Sequence, residues 1–175
     1  MIPALRVERL LGLDPTPSGP PLDFEIDQIS LRVHASTPGH LDVFIRDKYK
    51  ALEPVYDTRT HLAAALEWLL ESQRITKTPG FSAGYCFQNG WLPPYPETTG
   101  YIICTMWKAA ELLEDKAFED VALQAAKWEI DVQLDCGAIQ AGYYGEDPDG
   151  FWRQDVVPAA FNTGQVMLGW NQTYL

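Results

Sequence analysis

Tyr95-Pro96-Glu97-Thr98-Thr99-Gly100-Tyr101-Ile102-Ile103 opens an apolar helix, and Phe161-Asn162-Thr163-Gly164-Gln165-Val166 echoes it, with Thr99-Gly100 returning sixty-four positions later as Thr163-Gly164. The echo extends upstream. Ala65, Trp68 and Gln73 recur as Ala125, Trp128 and Gln133, each sixty positions on, and Ala83-Gly84-Tyr85 recurs as Ala141-Gly142-Tyr143, fifty-eight on. One unit therefore reads as a helix ending near Trp-x4-Gln, a loop rich in Gly and aromatic residues, then Thr-Gly and a second helix. Periods near this length indicate stacked supersecondary units, in which each unit buries the apolar face that its neighbour leaves open.

The helices differ in how they distribute apolar residues. Leu62, Ala65, Leu66 and Leu69 recur at three and four residues opposite Glu67, Glu71 and Arg74, which predicts an amphipathic helix from Thr60 to about Ile75. Residues 118–133 repeat the design, with Phe118, Val121, Ala122, Ala125 and Val132 inward and Asp120, Gln124, Lys127 and Asp131 outward. Both are expected on the outside of the fold. The helix opened by Thr98-Thr99-Gly100 carries Tyr101, Ile102, Ile103, Cys104, Met106 and Trp107 nearly all round its axis, the pattern of a buried helix. Alternating half-exposed and buried helices, joined as hairpins, predict an all-α fold of the α/α toroid kind, an inner ring of helices wrapped by an outer one. The chain reaches Leu175 inside the last helix, so an incomplete barrel is expected, truncated at its carboxyl end, with Val166, Leu168 and Trp170 forming an exposed apolar patch.

Residues 1–55 read differently from residues 56–175. Asp14 to Pro21 holds four prolines and a glycine, a linker composition. Leu22, Phe24 and Ile26, then Ile29, Leu31 and Val33, alternate with polar residues at period two, and Leu41-Asp42-Val43 suggests a third short strand. An amino-terminal segment with short strands is therefore expected ahead of the helical hairpins.

Composition narrows the function classes. The chain has 175 residues, 46% of them apolar, and a formal charge of −11 with only 13 scattered Lys and Arg, which argues against a nucleic-acid partner. No stretch is long and apolar enough to span a bilayer, and Met1 to Leu13 is broken by Arg6, Glu8 and Arg9, so it lacks a secretory h-region. Cys86, Cys104 and Cys136 show no disulfide or zinc spacing. A reducing, cytoplasmic setting with no cofactor or metal is expected, and His34, His40 and His61 share no ligand spacing.

At the Trp-x4-Gln, Tyr-Pro-Glu-Thr-Thr-Gly-Tyr-Ile and Phe-Asn-Thr-Gly-Gln motifs, over roughly residues 60–175, the sequence resembles the six-hairpin α/α-toroid superfamily. That superfamily includes sugar 2-epimerases, uronate C5-epimerases, unsaturated-glucuronyl hydrolases and some polysaccharide lyases, and the likeness is to a branch associated with polysaccharide metabolism. The resemblance implies a carbohydrate-active enzyme, with the remaining hairpins of a toroid or a self-association partner completing it. Terpene cyclases and prenyltransferase subunits share the architecture. Gln133-x3-Gly137 resembles half of their Gln-x-x-x-Gly-x-Trp repeat, but Ile139 stands where Trp belongs, and Glu146-Asp147-Pro148-Asp149 does not match their Asp-x-Asp-Asp.

Fold likeness does not transfer a reaction, so candidate residues are weighed singly. Glu97, at the head of the buried helix, serves either as a general acid or base or as a helix cap; its counterpart is Phe161, and a repeated cap would more naturally be conserved between the units. Asn162 and Thr163 read as helix-capping residues, while Gln165 is in reach of a ligand. Tyr95, Tyr101, Trp91 and Trp152 supply aromatic faces of the kind that stack on sugar rings, although Trp91 and Trp152 equally suit packing wedges between hairpins. In the charged loop 146–155, Arg153 suits a carboxylate clamp and Asp155 a second acid/base carboxylate paired with Glu97. A non-catalytic helical scaffold binding a glycan or a protein is the competing reading.

Overall fold

The computed structural model describes residue 43 and residues 56–87, 90–145 and 156–174. The proline linker, the strands expected over 22–33 and the loop 146–155 lie outside the described residues. Val43, the last residue of the strand expected at 41–43, is helical, and Leu41 and Asp42 lie outside the described residues.

The described chain is all-α. Its elements are α1 (Thr58–Thr76), β1 (Tyr85–Cys86), β2 (Gly90–Trp91), α2 (Pro96–Leu113), α3 (Lys116–Asp131) and α4 (Ala160–Tyr174). Asp57 caps α1, its carboxylate accepting from Thr60 N at 2.8 Å, and Asp115 caps α3 by accepting from Ala117 N at 2.9 Å. Each short acidic side chain satisfies an N–H that the first helical turn leaves unpaired. Only Glu114 and Asp115 separate α2 from α3, so the two fold back on each other as a hairpin. β1 and β2 pair antiparallel, Tyr85 opposite Trp91, and fold the aromatic loop between α1 and α2 into a small hairpin that its Gly-rich composition did not announce.

Helix α2 lies at the centre. Its Ile103, Met106, Ala109 and Ala110 join Ala63 and Leu66 of α1, Phe81, and Phe118, Val121, Ala122, Ala125 and Ala126 of α3 in one apolar cluster. Tyr101, Thr105, Lys108, Glu111 and Leu112 remain exposed, so α2 is not covered all round as its composition suggested. On α3 the inward and outward residues fall as read from the sequence. On α1 the stripe is rotated: Ala63 and Leu66 are buried whereas Ala65 is exposed. Ala65 and Ala125 are equivalent in sequence, but only Ala125, on α3, is buried.

Against α4, α2 lies side by side and parallel, since contacts advance together along both helices. A Cβ on Gly100 would stand 2.8 Å from the Gln165 carbonyl oxygen and from the Val166 Cα, one on Gly169 would stand 2.8 Å from the Gly100 oxygen, and Trp107 Nε1 donates to Thr173 Oγ1 at 3.0 Å. These helices approach backbone to backbone, which only glycine permits. Val166 is fully buried in this seam and Trp170 is half-buried, its Nε1 donating to the Ala126 carbonyl at 3.0 Å. The exposed apolar groups of α4 are therefore Phe161, Met167, Leu168 and Tyr174, and only Leu168 belongs to the patch expected from the sequence.

Candidate active site

The loop entering α2 and the loop entering α4 are built on the same hydrogen bonds. Thr99 Oγ1 donates to Tyr95 O at 2.9 Å and accepts from Phe81 N at 3.0 Å; Thr163 Oγ1 donates to Ala159 O at 2.8 Å and accepts from Ile139 N at 2.9 Å. The backbone repeats too. Ala83 N bonds to Pro93 O and Tyr95 N to Phe81 O, as Ala141 N does to Val157 O and Ala159 N to Ile139 O. Gln73 Nε2 donates to Pro79 O and Gln133 Nε2 to Gly137 O, each tying the end of one helix to the loop that follows. The offsets of sixty, fifty-eight and sixty-four positions in the sequence are thus the offsets of a duplicated frame. Thr and Gln recur because the frame uses their hydroxyl and their amide, whereas the missing side chain is needed at Gly100 and not at Gly164.

What the frame does not repeat gathers at the head of α2. Helix α2 begins at Pro96 after Tyr95, which makes no side-chain cap, so Glu97 sits inside the first turn and is not the capping residue. Its carboxylate faces two phenols, those of Tyr95 and Tyr101, closely enough to act on the titration of both. Burial, then the hydrogen bond and charge of Glu97, hold the Tyr95 hydroxyl above the usual phenol range, while the Asn162 side chain and the Gly142 N–H pull the other way. Tyr101 is raised by desolvation and then by the charge and hydrogen bond of Glu97, although the ring itself is exposed. A phenol facing a carboxylate keeps its proton and donates it. The arrangement is a carboxylate beside two phenols, one recessed against the neighbouring loop and one at the surface.

Asn162 takes part in this anchoring. It lies within α4 and does not cap it: its Nδ2 donates to the Gln140 carbonyl at 2.9 Å, and its side chain meets the Tyr95 hydroxyl. The Tyr143 ring lies 5.6 Å from that of Tyr95, and Tyr144 N donates to the Pro94 carbonyl at 2.8 Å, so the second loop leans on the first. Gln165 lies partly exposed one turn along α4, its carbonyl against Gly100.

Of the other sequence candidates, Trp91 lies in the β-hairpin, its ring 4.5 Å from Trp68 and 5.3 Å from Tyr85. Trp68 is 50% exposed, so this aromatic group has an open edge. Trp152, Arg153 and Asp155 lie outside the described residues.

Glu129 is a notable residue that sequence reasoning passed over. It is fully buried on α3, 0% exposed, and neither carboxyl oxygen has a hydrogen-bond partner among the described residues. Burial pushes it up to about 9, so it is a neutral acid at pH 7. The signal was present: Glu129 follows Ala125 by four residues on the apolar stripe, and its counterpart sixty positions earlier is Leu69. With no exposed surface it does not touch a ligand at the rim as the structure stands.

Comparison of the chain with protein-family models, with curated proteins and with solved structures finds no match.

Proposed function

We propose that this chain forms helical hairpins of an α/α toroid and carries part of the active-site rim of a glycan-processing enzyme of the epimerase, hydrolase or lyase type. The observation that supports this reading is Glu97 facing the Tyr95 and Tyr101 phenols at the amino end of a central helix, at a position that the second unit does not copy. A residue needed only to start a helix would be duplicated with it, and Phe161 stands in its place on α4.

In this reading Glu97 takes a proton from a sugar carbon or hydroxyl. Tyr101, at the open edge, gives a proton to the oxygen or carbon that accumulates charge, and Tyr95, recessed beside Asn162 and Gly142, positions the carboxylate. Arg153 and Asp155 are assigned the uronate clamp and the second carboxylate on the sequence alone, with Trp91 and Trp152 as stacking faces and Gln165 as a further polar contact. The terpene-cyclase alternative is less well supported, because it needs an apolar wall where phenols and an amide surround Glu97. The cytoplasmic setting belongs to the same proposal.

The scaffold alternative has one observation of its own: Trp91 lies tilted against a half-exposed Trp68, as suits a packing wedge or a binding patch. The test is a panel of uronate and amino-sugar oligosaccharides assayed for both binding and turnover. Glu97→Gln is expected to abolish turnover and retain binding, with Tyr101→Phe slowing turnover by about 10²-fold or more. Binding without turnover in the native chain, lost in Trp91→Ala, would establish the scaffold instead.

A further inference from the structure

Tyr95, Asn162 and Gln140 depart from the duplicated frame in a matched way. Tyr95 stands where the second unit has Ala159, Asn162 where the first has Thr98, and Gln140 where the first has Ser82. The first unit's residues serve their own loop. Thr98 Oγ1 donates back to Tyr95 O at 3.1 Å, and Ser82 Oγ accepts from Gly84 N at 3.2 Å. The second unit's residues are committed differently: Asn162 Nδ2 donates to the Gln140 carbonyl at 2.9 Å and Gln140 Nε2 to the Tyr143 carbonyl, with both side chains buried. Gln140 has no hydroxyl to receive the Gly142 N–H, which faces the Tyr95 hydroxyl, as the Asn162 side chain does. Departures sixty-seven residues apart in sequence thus meet at one phenol.

We infer that Asn162 and Gln140 are positioning residues of the Glu97 site, holding the Tyr95 hydroxyl where the two units meet so that its proton is directed at the Glu97 carboxylate. The physical reason is a count of donors and acceptors. A phenol has one proton to give and two acceptor places on its oxygen. The Gly142 N–H can only donate, and Asn162, its nitrogen already fixed toward the Gln140 carbonyl, keeps a second N–H for the phenol oxygen. The phenol's own proton is then left for the carboxylate, the charged group that acts on Tyr95 among the described residues. Burying two amides costs free energy unless their bonds are made. A threonine bonded to its own helix start would fill the place of Asn162 without that cost, as Thr98 does on α2. The Tyr143 ring, 5.6 Å from that of Tyr95, and the bond from Tyr144 N to Pro94 O at 2.8 Å close the same boundary. The inference rests on the proposed role of Glu97 as acid or base.

The test uses the full chain with frame residues restored, Asn162→Thr and Gln140→Ser. The hydroxyl introduced by Asn162→Thr can bond the Ala159 carbonyl as Thr98 bonds that of Tyr95, so the fold is expected to persist, checked by the thermal midpoint. A fluorinated tyrosine at position 95 titrates at lower pH than the ordinary tyrosines and is followed by fluorine NMR. Asn162→Thr is expected to raise that titration, because a donor to the phenol oxygen is lost, and Gln140→Ser to raise it by recapturing the Gly142 N–H. The same label at position 101 is expected not to respond. A position 95 titration indifferent to both variants overturns the inference, as does an equal shift at both labels, which would mark a general change of packing. In oligosaccharide turnover, Asn162→Thr is expected to lower kcat by about tenfold to a hundredfold with KM unchanged, and the double variant with Tyr95→Phe to be no slower than Tyr95→Phe alone. Additive losses would mean that Asn162 acts apart from the Tyr95 hydroxyl, and also overturn it. If the native chain turns over no glycan, the catalytic reading of Glu97 fails while the position 95 titration still decides this inference.

Discussion

The two helix starts at Tyr95–Gly100 and Ala159–Gly164 share a frame down to individual hydrogen bonds, yet one is buried, polar and crowded and the other open. Equal sequence does not give equal environment. Each unit is covered by the next, so a residue that is interior in one repeat is at the boundary in another. Trp68 and Trp128 make the point. Trp128 is 6% exposed, with its ring seated on Gly80 of the preceding loop, where a Cβ would approach it to 2.4 Å; Trp68 is 50% exposed and packs against Tyr85 and Trp91 of the following hairpin.

This asymmetry sets the largest expected effect. Trp128→Ala should cost about 3–5 kcal/mol in denaturant unfolding, and Trp68→Ala about 1 kcal/mol. Equal losses would mean that the described face of α1 is covered as fully as α3.

The next comparison is Glu129 against its counterpart Leu69. The folded state holds the Glu129 proton up to about 9 against an ordinary value of 4.5, so between these values the folded chain binds more protons than the unfolded one. Stability then falls as pH rises through this window and levels above it. Glu129→Leu should remove that slope and stabilise the chain on the order of 3 kcal/mol at pH 7, at about 1.4 kcal/mol for each pH unit above 4.5. Unfolding followed at pH 5, 7 and 9 checks it; a native chain whose stability is flat over this range would show that Glu129 has a charged partner.

Gly100→Ala and Gly164→Ala should move stability in opposite directions. The first forces two backbones apart and should cost about 1–3 kcal/mol, while the second should gain up to about 1 kcal/mol from helix propensity alone. Thermal melts of the two variants suffice. The smallest effect is spectroscopic. Glu97→Gln should lower the titration of both Tyr95 and Tyr101, followed by ultraviolet absorbance, leaving the contribution of burial in each; unchanged titration would separate the phenols from the carboxylate.

Much of the repeat was legible because its signals are local and periodic. Thr-Gly, Trp-x4-Gln and Ala-Gly-Tyr marked the frame, and helical spacing marked α1, α2 and α3 to within a few residues. Tyr95, Glu97 and Tyr101 could be singled out as the unshared part of the opening motif, and the structure brings these three together. The contribution of Asn162 could not be read, since Asn near a helix start looks like a cap whether it faces its own backbone or a neighbouring tyrosine. Nor could the burial of Val166 and Trp170 against the exposure of Met167, because all three are apolar residues of one helix and only the rotation of that helix on its neighbours divides them.

By itself, then, the sequence determined that the chain is helical, duplicated and framed by recurring Thr, Gly and Gln, since those properties follow from spacing and from the backbone bonds those residues make. Tertiary structure decided which copy of each residue is covered, that the Glu97 carboxylate meets two phenols, and that the Glu129 carboxyl meets none of the described groups. Hydrogen bonding within a repeat unit is a property of the unit, whereas burial and the charge state it imposes belong to the contacts between units.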